Sequence, residues 1–162
     1  MASSVSPTGP LFEEHQVSSS VSADESPRFF KEHGIFYQAS DTIGRLVEEV
    51  QPGVDGLKHF KATLLQDLRA KRILEPFLEK PPKLYYALAS DPGHYFASTT
   101  EDNQDHRPVV YMWRAGTELE FFDKSHTESK GVRAANGMME TPYRFLRNKY
   151  GLENKVRMEK GG

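Results

Sequence analysis

The residues with the clearest chemical potential are His126, Thr127 and Glu128. A histidine two positions before an acid presents both side chains to one metal ion when the pair lies on a strand. That spacing serves two ligands of a non-haem iron facial triad, whose third ligand is usually a histidine well downstream. No histidine follows His126. Of the six histidines, His15 lies near the start, His33 and His59 fall in or near a helical stretch, and only His94 and His106 belong to the sheet-forming part. The favoured reading therefore makes His126 a surface or hydrogen-bonded histidine at a strand exit, with no metal bound. Ser125 stands beside it, but hydrolytic chemistry would also need an orienting acid and an oxyanion site, and no Gly-x-Ser-x-Gly elbow is present. Glu101, Asp102 and Asp105 lack the spacing of an EF-hand loop and read as solubilising. Arg107 and Arg114 flank an aromatic run; each can grip a carboxylate through paired donors, or cover rings and meet acids such as Glu118.

The aromatic run has its own pattern. Val109, Tyr111 and Trp113 alternate, then Arg114-Ala115-Gly116 supplies a turn with Gly116 in the left-handed position, then Leu119 and Phe121 alternate again. This predicts a β-hairpin over residues 107–122, with Trp113 opposite Thr117, Tyr111 opposite Leu119 and Val109 opposite Phe121. The other face pairs Met112 with Glu118, Val110 with Glu120 and Pro108 with Phe122, so one face is buried and the other half wet. The apolar face is the wall of a core or of a pocket. Tyr111, Trp113, Arg107 and His126 are accordingly the candidate ligand-binding residues.

Helices precede this sheet. Asp41 is expected to cap a helix whose Ile43, Leu46, Val47 and Val50 form one apolar stripe. A second helix starts near Asp55, with Leu57, Phe60, Leu64, Leu65 and Leu68 on one side and an Asp67–Lys71 pair on its surface. Pro76 and then Pro81-Pro82 end the helical half. Leu84-Tyr85-Tyr86-Ala87-Leu88-Ala89 reads as a buried strand, residues 94–99 as a weaker one and residues 100–106 as an exposed loop. Thr141-Pro142 opens a later helix that packs Phe145 and Leu146 inward and ends at Gly151, and residues 155–159 alternate as a last strand. The expected fold is α+β: N-terminal helices packed on a small antiparallel sheet within a single domain at 29–162. Residues 1–28, rich in Ser and Pro, are expected to stay unfolded because scattered apolar residues cannot offset ordering entropy.

Composition narrows the function classes. The chain has 162 residues and no cysteine, which excludes disulfides and thiolate metal sites. No segment is long enough to span a membrane and no signal or transit pattern opens the chain, so a soluble, cytoplasmic protein is expected. The net charge of −2 argues against a dedicated nucleic-acid binder. Charge is uneven: residues 1–122 carry 12 basic and 18 acidic side chains, net −6, and residues 123–162 carry 9 and 5, net +4. A solvated basic helix face is the favoured reading of that excess.

The segment Phe121-Phe122-Asp123-Lys124-Ser125-His126 resembles the strand that runs into Pro-Gly-Ser-His in phytanoyl-CoA-dioxygenase-like oxygenases. The resemblance covers residues 84–162 and implies part of a double-stranded β-helix. Those enzymes use iron and 2-oxoglutarate, and carry a His-x-Asp pair a few tens of residues before Ser-His. The nearest match here is His94-Tyr95-Phe96, with phenylalanine in place of the acid. The family's second histidine and its oxoglutarate-binding arginine lie beyond a glycine turn resembling Glu159-Lys160-Gly161-Gly162, where this chain ends. The resemblance thus implies a truncated or degenerate relative that holds no iron or other cofactor, runs no oxygenation alone and retains a small-molecule pocket, in the setting of fungal-type secondary metabolism. The alternative is an interaction protein that completes its sheet at an open edge along residues 155–159, with a partner protein or as a homodimer.

Overall fold

A computed structural model describes residues 21–50, 54–79, 93–97, 108–128, 131–133 and 139–162. The expected Pro81-Pro82 stop, the strand at 84–89, the acidic loop at 100–106, Arg107 and the side chain of Leu57 lie outside the described residues.

Helix α1 spans Ser26–His33 and so begins inside the stretch expected to stay unfolded. A reciprocal cap precedes it: the Glu25 amide donates to the Ser22 hydroxyl, and the Ser22 amide and hydroxyl donate to the Glu25 carboxylate. Gly34, at φ +74°, stops the helix and its amide returns to the Phe30 carbonyl. Helix α2 spans Asp41–Glu49; its cap is Ser40, whose hydroxyl accepts from the Ile43 amide, one residue earlier than expected. The stripe stands, with Ile43 buried and Leu46, Val47 and Val50 half-buried.

The expected second helix is two. Helix α3 is Val54–Leu64 and α4 is Leu68–Leu74, and the break falls at Asp67, whose carboxylate accepts from the Arg69 and Ala70 amides at 2.8 and 3.1 Å. A cap of this kind contributes about 1 kcal/mol. An exposed Asp–Lys pair four apart contributes about 0.3–0.5 kcal/mol, so the cap wins. Leu68 is thereby turned out to solvent, while Phe60 is buried. A 3₁₀ turn at Glu75–Phe77 holds Pro76, as expected of a helix stop. α1 lies against α4 and α2 against α3; Ser26, fully buried, ties the first pair by donating to the Arg69 carbonyl.

Among the described residues five short strands follow: β1 (Phe96–Ala97), β2 (Thr117–Phe121), β3 (Val132–Arg133), β4 (Met139–Glu140) and β5 (Asn154–Met158), with a 3₁₀ turn at Ser125–Thr127 and helix α5 at Tyr143–Tyr150. β4 is flanked by β1 and β3, and β2 pairs with β5, all antiparallel. The architecture is α+β. The expected hairpin does not form. Gly116 is left-handed as expected, at φ +78°, but β2 runs against β5, with Thr117 opposite Met158, Leu119 opposite Val156 and Phe121 opposite Asn154. β5 is the better partner because it matches both faces. Val156 and Met158 bury against Leu119 and Phe121, while Lys155 and Arg157 stand opposite Glu120 and Glu118 on the wet side. Residues 109–113 would have set Val110 and Met112 beside those acids.

The core sits under this ribbon. Tyr37, Val156 and Met158 are buried together, with Ile35, Phe36, Trp113, Leu119 and Phe121 against them. The α1–α2 connector, rather than the stripe of either helix, thus covers the β2–β5 ribbon. α5 begins after Pro142 and ends at Gly151, burying Leu146. β5 falls one residue earlier than the alternation predicts.

Candidate functional site

Of the four sequence candidates, Tyr111, Trp113 and His126 fall within the described residues, and the contacts of Tyr111 and Trp113 differ from those of His126. Trp113 is anchored by an exchange of main-chain bonds with Gly162, its amide donating at 2.7 Å and its carbonyl accepting at 3.1 Å. Gly162 reaches that position because Gly161 adopts φ +82° and passes over the Gly44 backbone, with the Gly161 carbonyl accepting from the Ser40 amide at 2.8 Å. Tyr111 stacks on Trp113, ring centroids 5.4 Å apart and planes 9° apart. Trp113 packs on the Tyr37–Val156–Met158 core, whereas Val109 and Val110 are 48% and 40% exposed. The expected apolar wall is therefore a gradient: half-buried at Trp113, open at Val109.

His126 lies elsewhere. It is exposed in the Ser125–Thr127 turn, its ring against Gly34, and Nε2 donates to the Lys31 carbonyl at 3.1 Å. His126 and Glu128 do not share a strand face, because the turn intervenes, and Glu128 is held by the Lys149 ammonium. His94 pairs with Glu140 at 2.8 Å, and His106 lies outside the described residues. Among the described residues no three His, Asp or Glu side chains converge on a metal position.

A pairing the sequence reading missed is His33 with Asp123. His33 is 5% exposed, its Nδ1 meets Asp123 Oδ1 at 2.8 Å, and its ring lies 4.4 Å from that of Phe29. The Lys124 amide donates to the His33 carbonyl, clamping the end of α1 to the turn after β2. The sequence signal was present in Ser22-x-x-Glu25 and Gly34, which bracket α1 and put His33 in its last turn.

A second cluster joins the two sheets. The Tyr95 hydroxyl donates to Glu120 at 2.5 Å, Lys155 reaches the other Glu120 oxygen at 3.0 Å, and Tyr95 packs against Phe122 and Tyr143. Burial, then the bond to Glu120, raises the Tyr95 phenol above its ordinary value. The Tyr95 hydroxyl, then Lys155, holds Glu120 below the usual carboxylate range, and Glu120 raises the Lys155 ammonium. A shallow pocket of about 440 Å³ opens between Asp41, Gly44, Arg45 and Glu48 of α2 and Ala115 and Lys160. Its lining is charged and excludes Tyr111 and Trp113, so the cavity is not the one expected behind the aromatic strand.

No helix of the described residues is long and apolar enough to cross a membrane. No family model matches the chain, and no curated protein or solved structure gives a match either.

Proposed function

We propose that this chain is a protein-binding module that takes up an extended segment of another polypeptide along residues 109–112. The supporting observation is the state of that run. Val109 and Val110 are 48% and 40% exposed, and among the described residues the main-chain groups of Val109, Val110 and Met112 make no hydrogen bond. Unpaired amides beside exposed β-branched side chains are a template for a further strand. Trp113, the only tryptophan, sits at the end of the run and reports its occupancy. Titration with a blocked heptapeptide of alternating Val and Thr should give a saturable change in Trp113 emission, abolished by Val110→Pro, which removes an amide donor. An emission unchanged up to millimolar peptide would refute the proposal.

The parallel rings of Tyr111 and Trp113 favour a second reading, in which a flat aromatic ligand stacks on that pair, in keeping with the oxygenase-like resemblance. Benzoate is the probe: saturable quenching of Trp113 supports this reading, and linear collisional quenching removes it.

A further inference from the structure

Resting on the protein-binding reading, we infer that the polypeptide taken up along residues 109–112 is the same run of a second copy of this chain, antiparallel and centred on Tyr111. Charge selects this pairing. A two-fold pairing of β5 with its own copy about Val156 sets Lys155 against Arg157, and one of β2 about Leu119 sets Glu118 against Glu120. Like charges directly opposite one another oppose both. Residues 109–113 carry no charge. A two-fold axis at Tyr111 places Val110 opposite Met112 and Val109 opposite Trp113, so each contact is apolar and occurs twice, as an isologous interface requires.

The hydrogen-bond phase agrees. Trp113 directs both main-chain groups to Gly162. In an extended strand the groups of residues 110 and 112 face the opposite side, and in this register Val110 and Met112 of the two copies exchange their amide and carbonyl bonds. The edge suited to a second copy thus lies at residues 110 and 112, because like charges oppose the same pairing along residues 155–159.

The test uses the full chain, by light scattering and sedimentation over a range of concentrations. The mass should rise with concentration toward twice the 18.4 kDa of one chain. Val110→Lys and Met112→Glu should each shift the half-association point upward at least tenfold, while far-ultraviolet circular dichroism and the urea midpoint, both taken in dilute solution where every chain is monomeric, stay unchanged. Mixing the two variants, or combining both substitutions in one chain, should restore association, because residue 110 faces residue 112 of the other copy. Association that survives Val110→Lys, or that mixing fails to restore, refutes the register. A wild-type chain that stays monomeric yet binds the Val/Thr peptide refutes the second copy and spares the binding run; one that stays monomeric and ignores the peptide refutes both.

Discussion

Ser26 shows how much one hydroxyl can carry. It is fully buried and donates toward the Ala23 and Arg69 carbonyls, both at 3.0 Å, so it joins α1 to α4 without any charge. Ser26→Ala should cost about 1–2 kcal/mol, measured as a lower urea midpoint, because both carbonyls lose a buried donor. Glu120 behaves differently because its side chain is 38% exposed. Its folded pKa lies below the usual 4.5, so its contribution is present above that value and fades as pH falls through the folded one. Glu120→Gln should therefore be less stable than the wild type at neutral pH, by less than about 1 kcal/mol, and the gap should close as pH falls below 4.5 and through the lowered folded value. Stability curves at several pH values check this. Histidine chemistry was the least legible part of the sequence. The spacing of His126 and Glu128 singles them out, yet a 3₁₀ turn separates them. His33 is buried against Asp123, 90 positions away, a closeness that no local pattern encodes.

Among the elements, the helices were legible where the signal is local. The Ile43 stripe, the Pro76 stop and the Gly151 end all stand. The single helix through Asp67 fails because two competing local signals sit on one residue, and the stronger one caps. The hairpin fails for a different reason. Adjacency favours residues 109–113 as the partner of β2, but β5 supplies opposite charges on one face and buried side chains on the other. Such a partner is visible only when the distant segments are compared pair by pair. Gly44 tests the close approach of α2 to the chain end. In an open helix, Gly44→Ala would gain about 1 kcal/mol. Here the added methyl meets the Lys160 carbonyl and lies 3.2 Å from Gly161 Cα. The expected outcome is a net loss of about 1–2 kcal/mol in the urea midpoint, since overpacking against backbone costs more than propensity returns.

For the whole molecule, the uneven charge along the chain is largely resolved within the fold. Lys155 meets Glu120, Arg157 meets Glu118 and Lys124 meets Glu32, so these cations of the basic C-terminal stretch face acids from elsewhere in the chain. These exposed pairs contribute little stability. What they leave distinctive is the uncharged run at 109–113, anchored at Trp113 and open at Val109 and Val110. The most direct test is amide hydrogen exchange at Val110 and Met112, measured at low and high protein concentration. Both amides should exchange at nearly unprotected rates in dilute solution and become protected together as concentration rises. Protection that is already complete at the lowest concentration would show the run covered within one chain and contradict the account.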